Sequence, residues 1–342
     1  MAPTSAERDA LTSRVLPQMV FSKGDETSKT APPRPLPASV NAEGRAKLRF
    51  EVQGNAIVTG GAGSLGFAAA RALLEHGLAG LMIFDVNPTQ AQIKVEELEK
   101  EFPEAKIAFK QVDITDDVAV AKGVEEAASL LGSIDVLLCF AGVVGCHHAI
   151  DMTAAQWRKI LDINTTGCFL VSQAVAKQMI AQGTGGSIVF TASISGHRVN
   201  YPQPQVAYNV SKAALLTLKN GLAAEWARYG IRVNSISPGY ADTILNEGDG
   251  VAECRRIWAE RNPTGRMGAP SELTGAVVLL SSSAGTYMNE QMAVKFFFEV
   301  GEMFLETSFR SRIPKEAWFG INEDVLFATL VMIPYHHAIR SA

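Results

Sequence analysis

A tyrosine and a lysine four positions apart are the side chains of this sequence best suited to move a proton. If the segment around Tyr208 and Lys212 is helical, the two side chains share one face of the helix. A free tyrosine has a pKa of about 10 and is a poor base at neutral pH, but a nearby ammonium favours the phenolate. Ser193 closes the preceding predicted strand and makes the pattern more specific than a Tyr–Lys pair alone.

A second group of residues is suited to binding a dinucleotide. The run from Thr59 to Gly66 (TGGAGSLG) lies between a predicted strand and a predicted helix. Its glycines let the backbone approach a phosphate, and the helix N-terminus supplies N–H groups and a positive dipole end. Asp85 ends the next predicted strand, where a carboxylate can bind the adenosine ribose and repel the extra phosphate of NADP. Because Val86 and Asn87 follow it, with no Arg or Lys, the sequence favours NAD and leaves NADP as the alternative.

The elements that must position these residues alternate between short apolar runs and helical stretches. The predicted strands are Ala56–Thr59, Leu81–Phe84, Ile107–Gln111, Val136–Phe140, Ser187–Thr191 and Ile231–Ile236. The predicted helices are Ser64–His76, Thr89–Phe102, Asp117–Leu131, Ala154–Gln182, Val206–Tyr229 and Ser271–Ser282. Continuous apolar runs of this length are typical of parallel strands that are covered on both faces. The alternation predicts an α/β fold with a Rossmann-type doubly wound parallel sheet.

From residue 54 to residue 287 the chain resembles the main, single-domain branch of the short-chain dehydrogenase/reductase family. The run from Thr59 to Gly66 is similar to the T-G-x-x-x-G-x-G turn of the family. Asn164, Ser193, Tyr208 and Lys212 match the catalytic tetrad, so the resemblance makes them the expected catalytic residues. The residues that the resemblance and the turn assign to the cofactor are Gly60, Ser64, Leu65, Gly66, Asp85, Asp113, Ile114, Ala141, Gly142, Asn164, Tyr208, Lys212, Pro238 and Gly239.

The resemblance also implies an activity. Ser193 and Tyr208 would hold the oxygen of a small alcohol or carbonyl substrate while hydride passes between its carbon and the nicotinamide. Lys212 would bind the nicotinamide ribose and lower the tyrosine pKa, and Asn164 would hold a water that relays protons. The runs 193–197 and 201–205 look like those of fungal sugar-alcohol dehydrogenases and ketose reductases, and the family forms homodimers or homotetramers.

The chain departs from the family pattern near the site. Ser64 stands at the second motif glycine, and Phe140 replaces the asparagine of the N-A-G motif. The gap from Ser193 to the catalytic tyrosine is slightly long, and Ser195 has the more usual spacing. Ser193 is the preferred catalytic serine because it is followed by Gly196 in the family's order of serine, two residues, glycine.

The largest departure follows Tyr287, where the family normally has a Thr-Gly turn and a last strand that ends in Asp-Gly-Gly. We expect a seventh strand at Lys295–Val300 beside the sixth, and an extension over residues 301–342 that packs partly on the domain. The aromatic residues that this packing would bury are Phe304, Phe309, Trp318 and Phe327. The altered ending also raises the alternative of a catalytically weak or inert dinucleotide-binding relative.

Composition excludes several other classes of protein. The net charge of −4 gives no field that attracts nucleic acid or an acidic membrane surface. No apolar run approaches the roughly 20 residues that a membrane-spanning helix needs. The four cysteines lie far apart with no C-x-x-C pair, so the sequence favours a reducing, cytoplasmic location over a disulfide framework or a metal site. His147 and His148 have no third ligand at suitable spacing, so no metal is expected.

Composition also divides the chain. Residues 1–48 carry six of the 15 prolines and predict a disordered Pro-rich tail. Residues 49–300 would form the catalytic domain, and residues 301–342 an extension of uncertain structure.

Overall fold

Seven parallel strands form one sheet in the order β3-β2-β1-β4-β5-β6-β7. This computed structural model describes residues 13–33, 35–243, 246 and 248–295. The strands are β1 (Asn55–Thr59), β2 (Gly80–Asp85), β3 (Lys106–Gln111), β4 (Val136–Cys139), β5 (Gly186–Thr191), β6 (Ile231–Ser237) and β7 (Met292–Lys295). The predicted doubly wound sheet is confirmed, and the first six strands lie within one residue of their predicted bounds.

Helices cover both faces of the sheet. The described α-helices are α1 (Ala42–Phe50), α2 (Ser64–Glu75), α3 (Pro88–Glu101), α4 (Asp117–Leu131), α5 (Ala154–Leu161), α6 (Cys168–Gln182), α7 (Val206–Trp226), α8 (Ala252–Glu260) and α9 (Thr274–Ser281). Successive side chains of a strand point to opposite faces, so Val58 joins a core with α2, α3 and α9, whereas Ile57 joins one with α4, α6 and α7.

The order of the strands reverses between β1 and β4, which pair directly. At such a switch point the loops after the two strands part and leave a crevice at the carboxyl ends of the strands. The glycine-rich turn after β1 and the segment Ala141–Gly142 after β4 therefore lie at the mouth of one crevice. The hydroxyl of Thr59 accepts a hydrogen bond from the Ala141 N–H at 3.3 Å and holds these two segments together.

Three expectations need correction or remain open. The predicted helix 154–182 is interrupted by a π-helical turn, Asp162–Gly167, which separates α5 from α6. Residues 42–48 of the expected disordered tail belong to α1, whose N-cap Asn41 accepts a hydrogen bond from the Gly44 N–H. The seventh strand does lie beside β6, but it begins at Met292 and not at Lys295, and its described part is Met292–Lys295. Residues 296–342, with the predicted extension and its aromatic residues, lie outside the described residues.

Candidate active site

Tyr208 and Lys212 lie one turn apart near the start of α7, as the sequence predicts for a helix that begins at Val206. Lys212 is buried, and its ammonium donates a hydrogen bond of 2.7 Å to the carbonyl oxygen of Thr191 at the end of β5. The same ammonium lies 5.6 Å from the centre of the half-buried Tyr208 ring. The end of β5 therefore fixes the lysine beside the tyrosine without a direct bond between the two polar groups.

The surroundings of this pair set their protonation. Burial raises the pKa of Tyr208 to about 12, with a smaller raising effect from Tyr240, while a hydrogen bond with Ser193 opposes the change. Burial lowers the pKa of Lys212 to about 8, against a raising effect from the nearby Cys168 and Cys139. At neutral pH the protein's own groups thus keep Tyr208 as a neutral phenol and Lys212 mainly as a cation, which suits proton donation by Tyr208.

Ser193 follows β5 and lies buried beside α7. Its backbone continues towards β6, where the next N–H, that of Ile194, donates to the carbonyl oxygen of Pro238 at 3.0 Å. Gly196 permits this close approach, because a Cβ at that position would lie 2.8 Å from the Lys212 carbonyl oxygen. The glycine is therefore required where this segment crosses α7, and the choice of Ser193 over Ser195 stays a prediction.

Asn164 lies in the π-helical turn and is buried. Its side-chain oxygen accepts from the Val143 N–H at 2.8 Å, and its amide donates to the Val143 carbonyl oxygen at 2.9 Å. The amide also donates to the Ser211 hydroxyl at 3.0 Å, which joins the loop after β4 to α7. A regular helix predicted from sequence would give this asparagine no special position, whereas the π-helical turn presents it to both neighbours.

The turn after β1 has the shape of a phosphate cradle. Gly60 has φ +65°, and a Cβ there would lie 2.6 Å from the Ala141 nitrogen. A Cβ on Gly66 would lie 2.4 Å from the Gly60 carbonyl oxygen, so helix α2 can pack against the turn only because this residue is glycine. Gly63 caps α2 and brings no side chain to its first N–H groups, among them those of Ser64 and Leu65. These backbone donors fit the pyrophosphate of a dinucleotide.

The two predicted adenosine-side carboxylates lie at the ends of neighbouring strands. The Asp85 carboxylate accepts hydrogen bonds from the Ala62 N–H at 3.2 Å and the Asn87 N–H at 3.1 Å, and so lies against the glycine-rich turn. Asp113 is exposed after β3 and accepts from the Thr115 N–H at 2.9 Å. The buried Ile114 next to it packs against the π-helical turn, where a Cβ on Gly167 would lie 2.7 Å from its side chain.

The remaining predicted cofactor residues line the other side of the crevice. Gly142 lies close to the tetrad, because a Cβ there would lie 3.2 Å from the Asn164 side-chain oxygen and 3.6 Å from the Lys212 ammonium. Pro238 and Gly239 follow β6 and border a cavity of about 170 Å³. The predicted residues from all these loops therefore converge on the carboxyl edge of the sheet.

Sequence reasoning did not identify several polar and aromatic residues beside the tetrad. Tyr240 and Trp258 stack with ring centres 4.2 Å apart and an interplanar angle of 6°. The Tyr240 hydroxyl accepts hydrogen bonds from the Asn200 amide at 2.7 Å and the Gln203 amide at 3.1 Å. Gln205, one turn before Tyr208, is buried and was detectable by its spacing; Trp258 lies far along the chain and had no local signal.

The sequence also raised the questions of a metal site at the paired histidines and of a membrane-spanning helix. The His147 ring nitrogen Nε2 lies 3.4 Å from the side-chain amide nitrogen of Gln156. The part of the chain that the structure describes contains no group of three His, Cys, Asp or Glu residues arranged to hold a metal ion. Within that same part, no helix has both the length and the apolar character needed to cross a bilayer.

Known proteins resemble this chain over the same region. Residues 60–294 match the family model described as "Enoyl-(Acyl carrier protein) reductase". A sorbose reductase of Candida albicans is 37% identical over 242 residues, which cover 70% of this chain and 84% of the relative. An NADP-dependent mannitol dehydrogenase of Hypocrea jecorina is 36% identical over 256 residues, covering 74% of this chain and 94% of the relative. A crystal structure of a short-chain type dehydrogenase/reductase from Mycobacterium marinum is 36% identical, with a TM-score of 0.68 over 71% of this chain and 94% of that one.

The chain belongs to the short-chain dehydrogenase/reductase family. It is an NAD(P)-dependent oxidoreductase that transfers a hydride between a nicotinamide and a carbon that carries an alcohol or ketone oxygen. The alternative of an inert relative rested on the C-terminal ending. No observation on the described residues favours it, and β7 completes the sheet.

Proposed function

We propose that the protein interconverts a sugar alcohol and a ketose, with Tyr208 as proton donor or acceptor and NAD as preferred cofactor. The observation that carries the proposal is the position of the Ser193–Tyr208–Lys212 group beside a wall of amide and hydroxyl side chains. This wall comprises Asn200, Gln203, Gln205 and Tyr240. Side chains that both donate and accept suit a substrate with a hydroxyl on nearly every carbon. The sorbose and mannitol activities named for two relatives support the same class.

In the direction of reduction, the bound reduced nicotinamide supplies the hydride. Ser193 and Tyr208 donate hydrogen bonds to the carbonyl oxygen and orient it. As negative charge develops on that oxygen, the Tyr208 O–H bond breaks and its proton moves to the substrate. Lys212 stabilises the phenolate that is left, since its ammonium is held 5.6 Å from the ring centre. Asn164 keeps the loop after β4 against α7, and its role in returning a proton through water is part of the proposal.

The proposed preference for NAD rests on Asp85. Its carboxylate is fixed by the N–H groups of Ala62 and Asn87 at the edge of the phosphate cradle. A phosphate on the adenosine ribose would meet this negative charge, and the exposed Val86 beside it offers no positive partner. The mannitol dehydrogenase relative is named as NADP-dependent, and the ratio of kcat/KM for the two cofactors tests the preference proposed for this chain.

Further parts of the proposal concern the whole protein. The four cysteines, all free in the structure, support a reducing, cytoplasmic location. We also propose a homodimer or homotetramer, a catalytic domain over residues 49–300 and a separate extension over residues 301–342. Size-exclusion chromatography with light scattering would measure the mass of the assembly.

A substrate panel tests the proposed activity. Ketoses, polyols and a non-sugar aromatic aldehyde are offered with NADH or NAD and with NADPH or NADP, and the kcat/KM ratios are compared. We expect ketoses and polyols to be turned over best, and NADH to be preferred over NADPH by about tenfold or more. Turnover of the aldehyde with no turnover of any ketose or polyol would refute the sugar-alcohol assignment and retain the family chemistry.

A further inference from the structure

A continuous chain of hydrogen-bonded side chains leads from α8 to Ser193. The Trp258 indole N–H donates to the Gln203 side-chain oxygen at 3.1 Å, and the Gln203 amide donates to the Gln205 side-chain oxygen at 3.2 Å. The Gln205 amide donates to the Ser195 hydroxyl oxygen at 3.3 Å, and the Ser193 and Ser195 hydroxyl oxygens lie 3.1 Å apart. All but Gln203 are buried, so the chain runs mostly out of solvent.

The polarity of this chain is fixed at its far end. An indole N–H can only donate, so the Gln203 side-chain oxygen must face Trp258. The Gln203 amide must then face Gln205, whose oxygen accepts from it. The Gln205 amide is left to face Ser195 as a donor. A flip of either glutamine would bring two N–H groups against each other, at a cost of about 1–3 kcal/mol for each unmade bond. The Trp258 indole N–H on α8 therefore sets the donor-to-acceptor direction of every hydrogen bond up to the serines.

The two serine hydroxyls at the end of the chain can point either way. The single Ser193 hydrogen can be donated to Ser195 or to the Tyr208 oxygen, and the Ser193 oxygen accepts from the Ser195 N–H at 3.1 Å. A substrate oxygen needs the Ser193 hydrogen, which must then turn away from Ser195. Ser195 can follow by turning its own hydrogen onto the Ser193 oxygen, because Gln205 occupies a lone pair of Ser195 and never its hydrogen. Aligned in this way, each bond polarises the next and strengthens the last.

We propose that Trp258, Gln203, Gln205 and Ser195 form a one-way hydrogen-bond relay that turns the Ser193 hydroxyl onto the substrate oxygen. Ser195 and Gln205 are positioning residues, since they act through Ser193. The relay rests on the proposed roles of Ser193 and Tyr208 in the reaction. It supports the developing negative charge on the substrate oxygen, and it makes the chemistry depend on α8 being seated against the segment that leads into α7.

Two variants break the relay next to the serine. Ser195→Ala removes the hydroxyl that must change from acceptor to donor. Gln205→Glu keeps the shape but replaces a donor by a carboxylate, which draws the Ser195 hydrogen away from Ser193. We expect kcat to fall about tenfold in Ser195→Ala and at least as far in Gln205→Glu, which is less than the 100-fold or more that a direct donor is worth. KM should stay within about threefold in Ser195→Ala, because Ser195 is not part of the wall that faces the substrate, whereas Gln205→Glu changes that wall and is judged by kcat. The NADH dissociation constant should stay within about threefold in both variants.

A third variant acts at the far end, and a fourth serves as a matched control. Trp258→Phe keeps an aromatic ring on Tyr240 but has no N–H to fix the glutamines, so kcat should fall about threefold. Ser187→Ala removes a buried hydroxyl at the opposite end of β5, where it donates to the Leu280 carbonyl oxygen at 2.8 Å. The control should lose thermal stability to a similar extent as Ser195→Ala while its kcat stays unchanged.

The kinetic pattern separates the relay from a merely structural network. Equal kcat values for Ser195→Ala and Ser187→Ala overturn the relay, as does a loss confined to KM or to NADH affinity. If Ser195→Ala does not fold, an unchanged kcat in Gln205→Glu overturns it alone. The variants are assayed on the aromatic aldehyde as well as the best ketose, so failure of the sugar-alcohol assignment leaves the relay measurable. Absence of turnover on every carbonyl overturns both proposals, because the relay then has no oxygen to serve.

Discussion

The ammonium of Lys212 lies 5.6 Å from the centre of the Tyr208 ring, yet its hydrogen bond goes to the uncharged carbonyl oxygen of Thr191. A buried cation held by a neutral acceptor is expensive, which is why the pKa of Lys212 is lowered to about 8. The cost is tolerated because the charge must be close to the phenol when a phenolate forms. The position of the Lys212 ammonium therefore lowers the stability of the fold and at the same time serves the proposed reaction.

The first prediction follows from the free-energy cost of burying the Lys212 ammonium. Lys212→Met should abolish turnover and raise the free energy of unfolding at pH 7 by about 1–2 kcal/mol. The shift from 10.5 to about 8 corresponds to about 3 kcal/mol, and the unpaired Thr191 carbonyl oxygen offsets part of the gain. Denaturant unfolding would measure it. Lys122→Met, at an exposed lysine on α4, is the control and should change stability by less than about 0.5 kcal/mol.

The same residue predicts a pH dependence. Between pH 8 and 10.5 the unfolded chain keeps a proton that folded Lys212 has released, so the stability of the unmodified protein should gain a rising contribution with pH in this window. Above pH 10 the raised pKa of Tyr208 acts in the opposite sense, because only the unfolded tyrosine ionises there. Comparison of the unfolding free energies from pH 7.5 to 10 isolates the lysine. Parallel curves for the unmodified protein and Lys212→Met would contradict the assignment.

Tyr208→Phe should separate chemistry from binding. The variant keeps the half-buried ring and loses only the acid, so cofactor affinity should stay within a few-fold while turnover falls below a few per cent. NADH fluorescence and initial rates give the two quantities. Tyr287→Phe, at a fully exposed tyrosine, should leave both unchanged. Substantial activity in the Tyr208 variant would mean that another group supplies the proton.

The cofactor proposal can be tested without disturbing the cradle. Asp85→Asn keeps an acceptor for the Ala62 N–H and removes the charge, so NADPH use should rise relative to NADH by about tenfold. Adding Val86→Arg at the neighbouring exposed position should shift the preference further by pairing with the ribose phosphate. The kcat/KM ratio for the two cofactors is the measurement, with Val86→Arg alone as the control. A preference for NADPH in the unmodified protein would refute the role of Asp85.

The regular parts of the fold were predictable because local pattern decides them. The six apolar runs became six parallel strands. Asp85 ends one of them, Ser193 and Pro238 follow two others, and the carboxyl ends of these strands share one edge of the sheet. The serine, tyrosine and lysine come together because their elements pack in a fixed order. The π-helical turn at Asn164 was missed because the helical period of the sequence runs through it without interruption, and the bonds of Asn164 to the Val143 backbone are tertiary contacts that the local pattern does not reveal.

The wall of polar side chains beside the tetrad shows a second limit on what the sequence predicts. Gln205 lies three residues before Tyr208, at the N-cap of α7, so its closeness to the tyrosine was available from the sequence. Trp258 reaches the same cluster from α8 across a long stretch of sequence, through a bond to Gln203. No periodicity relates these positions, and only packing of α8 determines the contact. The pKa of Tyr208 shows the same limit, because its largest cause is burial, which the sequence pattern around the Tyr–Lys pair does not reveal.

The last prediction concerns the packing of α2 against the phosphate cradle. In Gly66→Ala the new Cβ would lie 2.4 Å from the Gly60 carbonyl oxygen and 3.1 Å from the Gly61 Cα. Both contacts are with backbone, so a side-chain rotation cannot relieve them. Helix α2 cannot move away easily, because Phe67 and Leu73 anchor it in the core. The turn must therefore shift, and the N–H groups that fit a pyrophosphate lose their positions.

We expect Gly66→Ala to weaken NADH binding at least tenfold and to lower the free energy of unfolding by about 1–3 kcal/mol. The matched control is Gly275→Ala in α9, where a Cβ meets nothing within 4 Å. The control should gain about 0.5–1 kcal/mol from helix propensity and bind NADH unchanged. Fluorescence titration and denaturant unfolding give both quantities for each variant. Unchanged NADH affinity in Gly66→Ala would show that the dinucleotide does not depend on this turn, because the distances leave no room for an unshifted backbone.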